Sequence, residues 1–261
     1  MKNVVVIPAV QAKLDKFGGW SWMDYSITAW KYWCKQNNCE FIVYDQPTYD
    51  ISSHRITWQR WFDVFDFLEK NNIKYDKILM ADACSIPKWD CPNFFELVGD
   101  NLAATRDMDN LGWIYESVQG YKNLFNEYEL DISKYINAGF VIFNKTHKAF
   151  LQELKEFYFA NHDVLEELQT TSIRRGTDQT PLNYCLQQKE IKIDELPMEY
   201  RVSHLHRKDL LTHNWQLKED TIPYFIKYAN VWVFSGFDKN QRNSLMEQTW
   251  NLVKGYYEYK Y

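Results

Sequence analysis

The chain has 261 residues, 46% of them hydrophobic, and a formal net charge of −5, which suits one large α/β domain with a full core. An acidic chain without a basic block excludes a protein that works by blanketing nucleic-acid phosphates, and the absence of any apolar run of about 18 residues excludes a transmembrane helix. Its five cysteines are odd in number and lack metal-binding spacing, which excludes a disulfide framework and fits a cytoplasmic protein with reduced thiols.

Met1-Lys2-Asn3 leads directly into Val4–Ile7 without the pattern of a cleavable leader, so residues 3–10 are expected to form a first buried strand ending at Pro8-Ala9-Val10. Gly18-Gly19 mark a turn before Trp20–Gln36, where Tyr25, Ile27, Ala29, Trp30 and Trp33 recur at helical spacing. Glu40–Tyr44 reads as a second strand. Ser52 or Ser53 can cap a helix running through Leu68 and carrying Arg60. Ile78–Ala81 is an apolar run too short for a helix, hence a strand buried on both faces. Asp82 stands at its carboxyl end, where ligands collect in open α/β sheets; the competing reading is an aspartate that caps a turn.

Beyond Pro87 the pattern gives a short helix near 93–98 and a small-residue strand at Leu102–Thr105. Residues 106–134 alternate aromatic and charged side chains without a clean period, the mark of a mobile insertion with some helix that could serve as lid or acceptor loop. Tyr135–Asn144 is a strand in which Gly139 would permit an unusual backbone angle or close packing. Asn144-Lys145-Thr146 matches a glycosylation sequon, a match expected to be chance. Helices follow at Lys148–Phe159 and near 164–168, then the basic turn Arg174-Arg175-Gly176, and Thr177 or Asp178 can cap a helix through Gln188. Ile191–Ile193 is a short strand and Tyr200–His206 extends again. A helix near Lys218–Tyr228, a strand at Val231–Phe234 and a helix from Arg242 to Tyr261 complete the chain. Strand and helix alternate in the rhythm of a parallel sheet with right-handed crossovers. Aromatic residues make up 17% of the chain, with eleven Trp, material for a dense core or for stacking on sugar faces.

Four stretches, taken in order, resemble the GT-A nucleotide-sugar glycosyltransferases, most closely the retaining group of lipopolysaccharide galactosyl- and glucosyltransferases and glycogenin. Tyr75–Cys84 is similar to that family's strand into Asp-x-Asp, and Tyr135–Asn144 to its Phe-Asn-Ala-Gly strand. Asp178-Gln179-Thr180-Pro181-Leu182-Asn183 is similar to its Asp-Gln-x-x-Leu-Asn helix start, and Val233–Lys239 to its closing His-x-x-Gly-x-x-Lys. Residues 1–50 match only in their strand–helix–strand shape. The resemblance implies a single Rossmann-like GT-A domain over 1–261, α/β with a mostly parallel central sheet flanked by helices. Within it, 1–105 would be the nucleotide-binding half and 106–261 the acceptor-side half with a C-terminal helix.

It also implies roles. Ala9, Arg60, Asp82, Asn137, Ala138, Gly139, Ser235, Gly236 and Lys239 would bind the donor, Lys239 lending positive charge to the leaving phosphates. Asp178 and Gln179 would be catalytic, Asp178 bonding sugar hydroxyls with Asn137 and Gln179 facing the anomeric centre. Against these stand blander readings: Arg60 as an exposed helix arginine, Lys239 as a solvated lysine, Asp178 as a helix cap.

The departures matter equally. Cys84 stands where the family has its second metal-binding aspartate, and Val233 where it has a metal histidine. Asp82 would then hold Mn²⁺ or Mg²⁺ alone, or His204 or His206 would substitute, or cations such as Lys239, Arg174 and Arg175 would take the charge without metal. The implied activity moves a hexose from a nucleotide-diphosphate sugar, a UDP-hexose being expected, to a saccharide acceptor with retention. The alternatives are inversion with Asp178 as general base, a degenerate protein that binds nucleotide sugar or glycan without turnover, and a carbohydrate-binding module built on the Trp content. The tail Tyr256–Tyr261 either touches a membrane surface peripherally or simply ends a helix.

Overall fold

The computed structural model describes residues 2–10, 21–203 and 224–257. The Gly18-Gly19 turn, Trp20, His204, His206, residues 218–223 of an expected helix and residues 258–261 of the tail lie outside the described residues. In chain order the elements are β1 (Asn3–Pro8), α1 (Trp22–Gln36), β2 (Glu40–Tyr44), α2 (Ile56–Phe62), α3 (Val64–Lys70), β3 (Lys77–Ala81) and β4 (Ser85–Pro87). They continue with β5 (Leu102–Arg106), α4 (Leu111–Tyr121), β6 (Ile136–Asn144), α5 (Lys148–Ala160), α6 (His162–Glu167), α7 (Gln179–Gln188) and β7 (Ile193–Glu195). The last are α8 (Tyr224–Tyr228), β8 (Val231–Val233) and α9 (Lys239–Val253).

Six strands form a mostly parallel sheet in the order β2-β1-β3-β6-β5-β7, and β4 pairs with β8 in a separate ribbon. β1 runs parallel to β2 with Val4 opposite Glu40, β5 runs parallel to β7 with Leu102 opposite Ile193, and β6 runs antiparallel to β5. β6 is buried over its whole length, as befits a strand covered on both faces.

The chain packs as two compact units: Met1–Gln46, Leu79–Leu97 and Pro197–Tyr261 form the first, Pro47–Ile78 and Val98–Leu196 the second. They interleave in sequence, because β4 finds its partner β8 near the far end of the sequence, with Ser85 opposite Val233. In the first unit α1 packs on β1, β2, β4 and α9. Its start is fixed where the Asp24 carboxylate accepts from the Ser21 backbone N–H at 2.7 Å, half of a capping box. Trp30 Nε1 donates to Ser85 Oγ at 3.0 Å and Trp33 Nε1 to the Cys91 carbonyl at 2.9 Å, while the Trp33 ring stacks on Phe94 with centroids 4.3 Å apart. Apolar body and polar tip are both satisfied, which is how a large indole is buried without loss.

In the second unit the helix expected from Ser52 to Leu68 begins at Ile56 and breaks at Asp63, whose φ of −126° and ψ of 14° interrupt the helical run between α2 and α3. Residues 106–134 hold α4 and two 3₁₀ turns, Lys122–Phe125 and Ile132–Lys134. α4 packs on α7 and α2 packs on α5. Gly139 sits in β6; the described glycines with positive φ are Gly176 and Gly236. The Asn144 side chain of the sequon is buried, accepting from Thr146 N–H at 2.9 Å and donating to the Asp100 carbonyl at 2.8 Å.

Trp22, Trp30, Trp33, Trp58, Trp61 and Trp232 are all buried, so most of the tryptophan surplus is core and is not offered to sugars. No described helix is long and apolar enough to cross a membrane. The five thiols are free, and burial pushes the Cys39 thiol up to about 11 and those of Cys84 and Cys185 up to about 12, with Cys34 and Cys91 raised further. At pH 7.5 fewer than about one thiol in a thousand would be thiolate at the most acidic of these. A disulfide reagent should therefore titrate the native chain slowly and all five cysteines only after unfolding in urea; rapid native labelling of Cys84 would contradict its burial.

Candidate functional site

The carboxyl end of β5, the start of β6 and the start of α7 carry a buried polar cluster in the second unit. Asp178 was expected either to bind sugar or to cap α7. It occupies the cap position, yet its side chain caps nothing there. Instead Oδ2 accepts from Arg60 Nη2 at 2.6 Å and from Trp61 Nε1 at 2.8 Å, and Oδ1 accepts from Thr177 Oγ1 at 3.1 Å. Arg60 and Asp178 are 5% and 3% exposed. The Arg60 guanidinium also lies 4.8 Å from the Trp61 ring centroid, so the reading of Arg60 as an exposed helix residue does not hold. α2 buries five consecutive side chains from Trp58 to Phe62. It tolerates Gln59 among them because Gln59 bonds the backbone of Tyr49 in both directions at 3.0 Å.

Gln179, one residue on, reaches β6. Its Oε1 accepts from Asn137 Nδ2 at 2.8 Å and from the Ala138 N–H at 3.1 Å, and its Nε2 donates to Asp107 Oδ2 at 2.8 Å. Asp107 Oδ2 also accepts from Asn137 Nδ2 at 3.0 Å, and Asn137 Oδ1 accepts from the Gly139 N–H at 2.8 Å. Asn137, Ala138, Gly139 and Gln179 are thus one connected network. A carbonyl oxygen takes two donors, so Gln179 is saturated by the protein and acts here by fixing Asn137 and the β6 backbone. Below it, the Tyr135 hydroxyl and Thr180 Oγ1 are 2.6 Å apart, as are Thr180 Oγ1 and Ser117 Oγ. Burial raises the Tyr135 phenol, which keeps it a neutral donor.

Sequence reasoning missed Asp107, Trp61 and Tyr135. Asp107 had the same signal as Asp82, a carboxylate just past a short apolar strand, but it fell at the edge of a stretch read as irregular.

The turn before Asp178 is held by Gly176, whose φ is +79° and whose added Cβ would lie 2.1 Å from Ser117 Oγ and 2.4 Å from Thr180 Oγ1. Left-handed backbone and a collision with a buried hydroxyl pair act together, so Gly176→Ala should cost about 2 kcal/mol or more, measured as a lower urea midpoint at unchanged slope. Of the neighbouring cations, Arg175 pairs with Glu116, and Arg174 Nε donates to the Thr170 carbonyl at 3.1 Å.

The first unit holds the other candidates. Asp82 follows β3, half-buried, in a tight turn where its carbonyl accepts from Ser85 N–H at 3.0 Å and Ser85 Oγ at 2.6 Å. β4 then pairs with β8, and the Phe234 N–H donates to the Cys84 carbonyl at 2.8 Å. This brings Cys84 alongside Val233, the two positions where the resemblance expects metal ligands. Neither suits a hard cation: Cys84 is buried with its thiol raised to about 12 by burial and by Asp82, and Val233 is a buried hydrocarbon. Among the described residues no group of three or more His, Cys, Asp or Glu side chains could hold a metal ion, and His204 and His206, the substitutes that the sequence offers, lie outside them. Gly236, at φ +80°, turns the chain from β8 toward α9 after Ser235. The Asp238 carboxylate caps α9 by accepting from Asn240 and Gln241 N–H at 2.9 and 3.0 Å, and Lys239 opens the helix. Ala9 is fully buried after β1, its N–H given to the Tyr44 carbonyl at 2.9 Å.

No protein-family model and no curated protein sequence matches the chain. Among solved structures, a glycosyltransferase involved in glycosylation of the major capsid of PBCV-1 superposes with a TM-score of 0.57 at 10% identity, covering 95% of this chain and 98% of that one. The apo form of the glycosyltransferase GlyE from Streptococcus pneumoniae superposes with a TM-score of 0.54 at 16% identity over 99% of this chain, which spans only 61% of GlyE. At such identities the likeness is one of fold: the chain has the GT-A-type α/β fold that its motifs led one to expect, shared with these glycosyltransferases.

Proposed function

We propose that the chain is a glycosyltransferase that moves a hexose from a nucleoside-diphosphate sugar, a UDP-sugar by preference, to a saccharide acceptor with retention of configuration. The observation that carries this reading is the buried Asp107–Asn137–Gln179 network joined through the chain to the Arg60–Asp178 pair. It spends one positive and two negative groups and two amides on a strand-end site in a fold shared with glycosyltransferases. A core has no need of such a cluster, since an apolar one of the same volume costs less. A sugar, whose hydroxyls each donate and accept, does need it.

What supports retention over inversion is the set of bonds that the Asp178 carboxylate already makes. Asp178 accepts from Arg60, Trp61 and Thr177, and acting as the base of an inverting enzyme would require it to abandon a buried guanidinium. In the retaining course the bond from the anomeric carbon to the leaving phosphate oxygen breaks and the acceptor oxygen bonds the same face. The acceptor's proton passes to the departing diphosphate, whose charge cationic side chains, Lys239 among them, hold in place of a divalent ion.

A second reading is a degenerate protein that binds donor or glycan without turnover, favoured by Cys84 and Val233 at the metal positions. A thermal-shift screen of nucleotide sugars, run in manganese and again in chelator, tests donor recognition. NMR of the product anomer from the best donor then tests transfer. No shift with any nucleotide sugar would defeat the first reading and reduce the second to a glycan binder, binding without transfer or hydrolysis would favour the second, and an inverted anomer would remove retention.

A further inference from the structure

The β4–β8 ribbon sets Cys84 beside Val233, the two positions where the resemblance implies metal ligands, and the turn that follows β8 is held by Arg242. This side chain, half-buried on α9, donates from Nε to the Phe234 carbonyl at 3.0 Å and from Nη2 to the Phe237 carbonyl at 2.9 Å. Its guanidinium carbon lies 4.8 Å from the Trp22 ring centroid. Phe234 is in turn the residue whose N–H holds the Cys84 carbonyl at 2.8 Å. Arg242 is thereby fixed to the turn that contains Ser235 and Gly236.

We propose that Arg242 is the diphosphate-binding cation that this chain uses where the resemblance of its motifs implies a divalent ion. The proposal rests on the donor reading given under Proposed function and adds the group that meets the leaving phosphates. A guanidinium suits this role because it stays charged at every working pH, is weakly hydrated, and presents a rigid fork of donors. The two carbonyls of the turn take Nε–H and one Nη2 donor, which leaves Nη1 able to donate to a phosphate oxygen. Asp238, the acid just before α9, is committed to capping that helix.

Calorimetry on the full chain tests this, using the tightest binder among UDP, GDP, ADP and CDP, in manganese and in EDTA, for wild type, Arg242→Lys and Arg242→Gln. Arg242→Gln keeps an amide able to bond the Phe234 carbonyl, and its melting curve checks that the turn has survived. The expected result is wild-type affinity unchanged within about twofold by EDTA, and a loss of about tenfold or more in Arg242→Gln, with Arg242→Lys between them. A loss in EDTA equal to or larger than that in Arg242→Gln, or wild-type affinity in Arg242→Gln, overturns the proposal and leaves the glycosyltransferase reading standing. Failure of the wild type to bind any nucleoside diphosphate or nucleotide sugar would instead remove the reading on which it rests.

Discussion

Replacing Asp178 with alanine is expected to lower the thermal unfolding midpoint by about 10 °C. The substitution leaves the Arg60 guanidinium 5% exposed with its carboxylate partner gone, and removing one half of a buried ion pair costs about 3–5 kcal/mol. In a chain of this size each kcal/mol is worth roughly 2–4 °C. Trp61 Nε1 loses its acceptor in the same step, which adds to the loss. The double variant Arg60→Met/Asp178→Leu discriminates between an ion pair kept for stability and one kept for function. Two apolar side chains of similar volume should restore most of the midpoint, short of the wild type by the unpaired indole N–H. Transferase activity should stay lost in both variants. If Asp178→Ala melts within a degree or two of the wild type, the pair is solvated and its place in the site is wrong. If the double variant recovers activity together with stability, the pair is structural only.

The two members of that pair could be singled out from the sequence, but not their contact. Periodicity places Arg60 on a helix and Asp178 at a helix start, and 118 residues separate them; no local pattern encodes a bond between elements so far apart. The same limit explains β4, three residues long, whose partner β8 lies near the other end of the chain. What local physics governs was legible. Apolar runs marked β1, β3 and β6 to within a residue or two, since a buried strand must be apolar on both faces. The helix across Asp63 was misread as continuous because a single break in backbone angle leaves the apolar stripe of α2 and α3 intact. The tryptophans misled in another way: composition reports how many there are, while burial, settled by tertiary packing, decides which of them a ligand could reach.

Asp107 is the other residue the sequence concealed, and a change at its partner gives the second large effect. In Gln179→Glu the shape is kept but the amide nitrogen that donates to Asp107 Oδ2 at 2.8 Å becomes an oxygen. Two carboxylates about 3 Å apart repel by roughly 5 kcal/mol at an effective dielectric of 20, so the pair cannot stay fully ionised. One proton is retained between them, and one carboxyl is driven well above the ordinary range. At pH 8 the like charges push the two side chains apart and release Asn137 and the Ala138 N–H from their fixed positions. A displacement of about 1 Å at such a site lowers kcat by about 100-fold. Toward pH 5.5 the shared proton restores an O–H···O bond at the same separation, and part of the rate should return. Stability must follow the same sign: a carboxyl whose folded pKa is raised above its unfolded value contributes fully below the unfolded pKa and loses that contribution as pH rises through the folded one. The variant should therefore melt close to wild type at pH 5 and well below it at pH 8, a trend absent from Gln179→Ala. Adding Asp107→Asn to Gln179→Glu removes the repulsion and should abolish the pH dependence of melting. It should not restore full turnover, because the amide introduced at 107 presents an N–H group where Asn137 Nδ2 needs an acceptor. If Gln179→Glu matches the wild type in rate and melting from pH 5 to pH 8, the Gln179–Asp107 bond does not exist in solution and the network cannot hold a sugar.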